Sequence, residues 1–418
     1  MRLGEVERFD PEFYLELSLN DDLKSLNNIV EFSKEKWNQK DYFEEKFPYI
    51  EISEINLETG EINNISWINK KEAPSRAKMI VRDGDIIVST TRPDRGAITK
   101  ISKKHDGFIA STGFAVIRKY KNVNSDYLFY LLRSDYCLKQ MGNKTSGGNY
   151  PAITLEDLKS LQIPLPPIPT QQKLVEMMDE AYSLKKQKEQ KAKELLDSID
   201  DFVMGELGIN IEKFKVKSEK IEIFGVRASE LKRFDVDYVL QKKALSNSKY
   251  PSLKLAELCE MYQPKTITKN EMSEDEKYPV FGANGLIGRY KDFNHKEYEV
   301  LLGCRGSCGE INISEPFSWI TGNAMVVKPK NETQLTKVFL SIVLGSLNLE
   351  TVITGSVQPQ ITRTDLQDFE IPLPPLEIQQ KIADEVEKRR SQAFELQAEA
   401  RQVLETAKKE FEREVLEG

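Results

Sequence analysis

At 418 residues the chain is longer than one compact core usually holds, so two domains are the starting expectation. Hydrophobic residues at 39% and charged residues at 30% exclude both a disordered polymer and a membrane-embedded bundle, and no run nears the ~18 apolar residues of a bilayer helix. The net charge of −7 weighs against nucleic-acid binding by the chain as a whole, although such a sum hides any local basic face. The first residues, MRLGEVERFDPEFY, lack the apolar stretch of a signal peptide. Four cysteines (Cys137, Cys259, Cys304 and Cys308) make no disulfide framework in so long a chain and point to a reducing cytoplasm. With only His105 and His295, little is left for histidine catalysis or a zinc site.

Along the chain, RFDPEFY (8–14) precedes a β-rich middle whose clearest strand-like runs are MIVRDGDIIVST (79–90) and FAVIRK (114–119). A short helix is expected over Ser125–Met141, then a Gly-rich loop, a small segment led by TLEDL, and the connector IPLPP. Proline fixes its own φ and pushes its predecessor towards extended geometry, so IPLPP reads as a stiff lead-in that ends the globular part. From Thr170 to Leu207 there is no Pro and no Gly before Gly205. Apolar or small residues recur at Leu174, Met178, Ala181, Ala192, Leu195, Ile199 and Phe202, with Lys185 and Lys188 interrupting. This 4-3 spacing predicts a coiled-coil helix of ~57 Å.

The plan then repeats at an offset of 208 residues. GGNYPAITLEDLKSLQIPLPPIPTQQK (147–173) and GSVQPQITRTDLQDFEIPLPPLEIQQK (355–381) share 14 of 27 positions, far above chance. RFDVDY (233–238) answers RFDPEFY, and WITGNAMV (319–326) answers IASTGFAV (109–116). The second copy has strands at VLLGC (300–304) and AMVVK (324–328) and a helix over Leu335–Leu349. Its own heptad stripe is Ile382, Val386, Ala393, Leu396, Ala400, Val403 and Ala407, broken once by Arg389. Residues 1–167 and 229–375 should therefore be globular, 168–207 and 376–418 long helices, and 208–228 the link. The duplication favours an antiparallel helix pair. The fold class is α+β, two α/β units each followed by a long helix. Similar frames with dissimilar middles suit one task performed twice on different targets.

Catalytic signatures fail one by one. FGANGLIG (281–288) lacks the preceding strand and following helix of a dinucleotide loop. MGNKTSGG (141–148) is not GxxxxGK[ST], and no Asn-Pro-Pro-Tyr or Asp-Pro-Pro-Tyr is present. Pro93-Asp94 has no Glu-x-Lys or Asp-x-Lys to complete a nuclease motif. Cys304-Arg-Gly-Ser-Cys308 has no second ligand pair, so these cysteines read as plain thiols. What remains are matched polar loops. STTRPDRG (89–96) offers Ser89, Thr90, Thr91, Arg92 and Arg95, and its counterpart GCRGSCG (303–309) offers Arg305 and Ser307. NKTSGGNYP (143–151) brings Lys144, Ser146 and Asn149 against Ser356, Gln358 and Gln360 of TGSVQPQ (354–360). FGANGLIGR adds Asn284 and Arg289. Such groups donate to base edges or phosphates. A single Arg or Asn on a loop is ordinarily just solvated; recurrence at matched places is what favours a contact role. Residues 70–104 carry 10 Lys/Arg against 4 Asp/Glu, a local +6 around the first loop, whereas residues 262–310 carry 7 against 8.

The doubled frame resembles the specificity subunits of Type I restriction–modification systems (the HsdS family) on RFD-x-(D/E)-(F/Y), TGxx(A)xV, GS/GG-x₂-P-x-I-T-x₂-DL and IPLPP-x₃-QQK, over essentially the whole chain. The resemblance implies that each globular unit is a target-recognition domain reading half of a split DNA target. It also implies that the paired helices set the spacer, with Leu174, Met178, Ala181, Leu195, Ile199, Ile382, Val386, Ala393, Leu396, Ala400, Val403 and Ala407 in the seam. The implied partners are double-stranded DNA, two modification (methyltransferase) subunits and restriction subunits, with no membrane. The chain itself would be no enzyme and bind no cofactor, S-adenosylmethionine, ATP and Mg belonging to partner subunits. YIEISEINLETGEI (49–62) and YPVFGANGLIG (278–288) look like different classes of recognition domain, so the two half-sites should differ. The alternatives are a recognition subunit for a fused methyltransferase–nuclease of the Type IIB or IIG kind, and a coiled-coil protein-binding scaffold.

Overall fold

The computed structural model describes residues 23–38, 43, 45–146, 151–210, 236–355 and 358–417. The chain forms two compact units, Met1–Glu189 with Ala398–Gly418, and Gln190–Gln397. RFDPEFY, the start of RFDVDY and most of the 208–228 link lie outside the described residues.

The strands of the first unit are β1 (Leu23–Ser25), β2 (Val30–Phe32), β3 (Lys46–Ile50), β4 (Ser66–Asn69), β5 (Ala77–Ile80), β6 (Ile86–Ser89), β7 (Ile98–Lys100), β8 (Ile109–Ser111), β9 (Phe114–Tyr120) and β10 (Gln162–Pro164). They form the sheets β2-β9-β6-β7 and β4-β3-β8-β5, while β1 pairs antiparallel with β10. MIVRDGDIIVST is therefore two strands in different sheets, separated by a turn in which Gly84 takes φ +82°, a conformation glycine adopts without steric cost. β6 is apolar at every inward position because both its faces are covered. Ile86 and Val88 enter a core with Tyr127 and Leu131, and Ile87 enters a second core with Ile50 and Ala110.

The single helix expected over 125–141 is two, α1 (Ser125–Leu132) and α2 (Asp135–Asn143). Ser134 starts the second by accepting the Cys137 N–H on its side chain. In TLEDL, Thr154 and Asp157 form a capping box on the short helix Leu155–Lys159. The connector is extended through β10, and α3 (Ile168–Leu207) follows it. Within this unit Leu174, Met178 and Ala181 of α3 share a core with Leu404, Ala407, Phe411 and Val415. Lys188 pairs with Glu399, and Ala181 lines the same groove as Ala407, so the two helical segments run antiparallel. Lys185, which interrupts the stripe, is buried yet paired with Glu58 and Glu189.

The second unit contains β11 (Ser252–Lys254), β12 (Cys259–Tyr262), β13 (Tyr278–Gly282), β14 (Gly285–Tyr290), β15 (Val300–Gly303), β16 (Ile311–Ile313), β17 (Trp319–Ile320), β18 (Ala324–Pro329) and β19 (Glu370–Pro372). Its sheets, β12-β18-β15-β16 and β14-β13-β17, repeat the strand order of the first unit without a counterpart of β5. YIEISEINLETGEI and YPVFGANGLIG are carried on the same strand order in both units. Both begin on the same strand of one topology, β3 or β13, which then runs into a long loop or a two-residue turn at Ala283–Asn284. FGANGLIG is that hairpin, with no helix after it. The helix α4 (Lys337–Ser346) is capped by Thr336, and TRTDL repeats the capping box through Thr362 and Asp365. The last helix is α5 (Leu376–Glu417).

Within the second unit Arg389 donates to the Ser198 carbonyl at 2.9 Å and Lys381 pairs with Glu206 at 2.8 Å, again an antiparallel order. Arg389 breaks the stripe but lies over the Phe202 ring, 4.6 Å from its centroid. The seam keeps Ile199, Ile382, Val386, Ala393 and Ala400 buried. Three expected members are displaced: Leu195, Leu396 and Val403 are only half-buried. Leu404 is fully buried in place of Val403, because the step after Ala400 is four residues and not three.

Candidate nucleic-acid interface

In the first unit β6 delivers the STTRPDRG loop. Ser89 is buried, and its hydroxyl is engaged by the loop itself, donating to the Thr91 carbonyl at 2.7 Å and accepting the Thr91 N–H at 3.3 Å. Thr90 donates from N–H and Oγ1 to the Gly113 carbonyl at 2.8 and 3.0 Å. Thr91 then bridges Ala152, and Ala152 bridges Ser146 on its other side. Arg92 N–H donates to the Pro151 carbonyl at 2.7 Å while its backbone sits in the left-handed region at φ +47°. Such a conformation costs a non-glycine residue about 1–3 kcal/mol and persists only where the surroundings over-determine it. Pro93 is buried behind it, and Arg95 is exposed on the short turn Pro93–Arg95. Lys144 is half-buried at the end of α2, Ser146 is exposed, and Asn149 lies outside the described residues.

The second unit builds the same bridge from other residues. Arg305 pairs with Gln360, and Gln360 pairs on its other side with Thr354 through two hydrogen bonds of 2.8 Å. The offset that aligns the sequence copies places Gln360 on Ala152 and Thr354 on Ser146. Arg305 thus occupies the place of Thr91 rather than that of Arg92. The GCRGSCG loop closes on itself, Gly303 N–H donating to Glu310 and Gly309 N–H to Gly303. Gly303 is needed for space, since a Cβ there would run into the Ser307 carbonyl and lie 2.8 Å from that of Ala283. The hairpin turn that holds Asn284 thus adjoins, through the Ala283 carbonyl, the start of the loop that holds Arg305 and Ser307, and Arg305 bridges Gln360, two residues after Gln358. Of these Asn284, Arg305 and Gln358 are exposed, while Ser356 lies outside the described residues.

Two expected contact residues are withdrawn by this geometry. The Ser89 hydroxyl is consumed as described. Arg289 donates Nε to the Glu276 carbonyl and Nη2 to the Lys277 carbonyl, both at 2.6 Å, and so braces the loop before β13. Part of the basic window is likewise neutralised, Arg82 by Glu35 and Lys100 by Asp126. The Arg82 hydrogen bonds hold the Glu35 carboxyl below the usual carboxylate range. Burial pushes the Cys304 and Cys308 thiols up, so both are protonated at neutral pH. No cluster of three or more metal-type ligands occurs among the described residues. Spacing along the chain gave no signal for Gly303, Gly113 or Asn323, whose carbonyl holds the Cys304 N–H. All three act through contacts distant in sequence.

A family model for the Type I restriction modification DNA specificity domain matches residues 21–195 and again 247–406. A protein of Methanocaldococcus jannaschii assigned as the specificity subunit of the MjaX type I restriction enzyme is 24% identical over 402 residues, covering 89% of this chain and 87% of that protein. The HindI specificity subunit of Haemophilus influenzae is 30% identical over 132 residues, 30% of this chain and 29% of its own. A chain from a structure reported as the structural basis of complex assembly and conformational transition of the type I R-M system superposes with a TM-score of 0.61 at 22% identity, over 95% of this chain and 98% of that one. With the family domain matched twice and the same bridge built twice, the chain belongs to the Type I restriction–modification DNA specificity family and is a non-catalytic recognition subunit.

Proposed function

We infer that each unit reads its own short word of a split, asymmetric DNA target, and that α3 and α5 set the distance between the words. The observation that carries this is the repeated bridge: one backbone scaffold presents Thr91, Ala152 and Ser146 in one unit and Arg305, Gln360 and Thr354 in the other. Equal scaffolds with unequal side chains suit two unlike half-sites. The proposed contacts are Thr90, Thr91, Arg92, Arg95, Lys144, Ser146 and Asn149 for the first, and Asn284, Arg305, Ser307, Ser356, Gln358 and Gln360 for the second. Two methyltransferase subunits would dock on the helices, where Leu184, Leu196 and Phe394 are exposed. S-adenosylmethionine, ATP and Mg would be held by those and the restriction subunits, in the cytoplasm. No described helix is long and apolar enough to cross a membrane.

The ruler is tested by inserting one heptad into each helix, after Glu189 and after Gln397. Seven residues add ~10 Å, or about three base pairs at ~3.4 Å each. In a complex reconstituted with its methyltransferase subunits, methylation mapping should show a spacer longer by about three base pairs and unchanged half-sites. Changed half-site bases would refute the assignment of the helices. A second test concerns the loops. Arg305→Ala should weaken specific duplex binding by roughly tenfold at an unchanged melting temperature, since one good base contact is worth about 1–3 kcal/mol. Arg289→Ala should lower the melting temperature instead, the opposite order of effects counting against both placements.

A further inference from the structure

Each copy of the IPLPP-x₃-QQK frame buries the first of its two glutamines, Gln171 at 1% and Gln379 at 0% exposure. The second glutamine of each pair is exposed. Gln171 sits in the first turn of α3. Its Oε1 accepts the backbone N–H of Asn124 at 2.8 Å, and its Nε2 donates to the Pro166 carbonyl at 2.7 Å. Asn124 is the cap of α1, accepting the Asp126 and Tyr127 N–H groups on its own side chain. In the second unit the Gln379 Oε1 accepts from Thr336, at 3.0 Å from N–H and 3.3 Å from Oγ1, and Thr336 caps α4. Its Nε2 donates to the carbonyls of Gln334 at 2.8 Å and Pro374 at 3.0 Å. One amide thus ties three parts together in each unit: the capped helix of the recognition domain, the proline connector and the long helix. Only an amide of this length does so, because the site needs an acceptor and a donor on one side chain. A carboxylate lacks the donor and asparagine lacks the reach.

We propose that Gln171 and Gln379 are positioning residues that set how sharply the protein discriminates spacer length. The inference rests on the reading of the helices as a ruler. With the clamp in place, a recognition domain cannot pivot on its extended connector. Without it only the apolar packing of the domain on its long helix holds their angle, and spacers differing by one base pair, ~3.4 Å, become acceptable. The clamp is neutral, so its effect is independent of salt, unlike that of phosphate contacts.

The test uses the complex with its methyltransferase subunits and a series of duplexes with spacers from two base pairs shorter to two longer. The measured quantity is the ratio of methylation rates on the native spacer to those on its neighbours. For Gln171→Met with Gln379→Met this ratio should fall about tenfold, equally at low and high salt, while the half-site bases stay the same. Ile117→Ala, a core change away from the clamp, should lower the melting temperature without altering the ratio. An unchanged ratio in the double variant overturns the proposal, and so does an equal fall in Ile117→Ala. Should the double variant not assemble, each single variant carries the same test. A wild-type complex indifferent to spacer length would sink the ruler reading, and the clamp's role with it; sharp wild-type selection with an unaffected variant sinks only the clamp.

Discussion

Gly303→Ala should destroy recognition of one half-site and spare the other. The added methyl group meets two backbone carbonyls, those of Ser307 and Ala283, neither of which can turn away as a flexible side chain would. Either the GCRGSCG loop or the β13–β14 tip must shift, and Arg305 or Asn284 moves with it. With about 1–3 kcal/mol per base pair at stake, loss of even two base readings lowers selectivity at that half-site roughly a hundredfold or more. Competition binding against duplexes altered in one half-site at a time measures it. Gly345→Ala is the control, because its Cβ meets nothing within 4 Å and alanine favours the helix. Equal selectivity in both variants would show that the loop and hairpin are not the reading surface.

Arg118→Ala should unfold the first unit early and leave the second untouched. Asp85 is 1% exposed, and Arg118 grips it through Nε at 3.0 Å and Nη2 at 2.8 Å. The same guanidinium reaches Glu35 and the Ile80 carbonyl, so it joins both sheets of the unit to the segment before β3. Removing the cation leaves a buried carboxylate without its partner, at a cost of ~3 kcal/mol. Calorimetry should show the first transition shifted down and the second unmoved. Acid has a related effect. Glu35 titrates below its unfolded value, so its contribution is present above the ordinary carboxylate range and is lost as pH falls through the lowered folded value. Arg82 supplies the larger part of that lowering and Arg118 a smaller part, so the acid limb of the first transition should be slightly shallower in Arg118→Ala than in the parent.

Much of the frame was legible because it rests on local rules. IPLPP announced two extended connectors and the heptads announced two long helices, whereas TLEDL and TRTDL were legible only as small segments and not as capping boxes. The offset between the copies even aligned Ala152 with Gln360, which turn out to be the centres of equivalent bridges. What stayed hidden depends on distant partners. Arg289 looks like a DNA contact until the carbonyls of Glu276 and Lys277 are seen to hold it. Nothing in MIVRDGDIIVST says that its halves join different sheets, since both halves are equally apolar. Val403 and Leu404 are adjacent and both aliphatic, so only the helix partner decides which one faces inward. Gln171 and Gln379 were visible as repeated letters, but their purpose lies in the helix caps they hold.

The first unit takes Leu404, Ala407, Phe411 and Val415 into its core, although residues 190–397 separate them from the rest of it. On a ribosome adding about 5–20 residues per second, that intervening stretch takes roughly 10–40 s to make. For that time Leu174, Met178 and Ala181 pack only on the earlier-made part of their core, with Tyr127 and Leu131, and the side that takes Leu404, Ala407, Phe411 and Val415 stays open to water. The second unit, made later, is finished first. This inverts the usual order in which the earlier-made part folds ahead, and it makes the interval before residue 404 emerges the period when chaperones matter most to this chain.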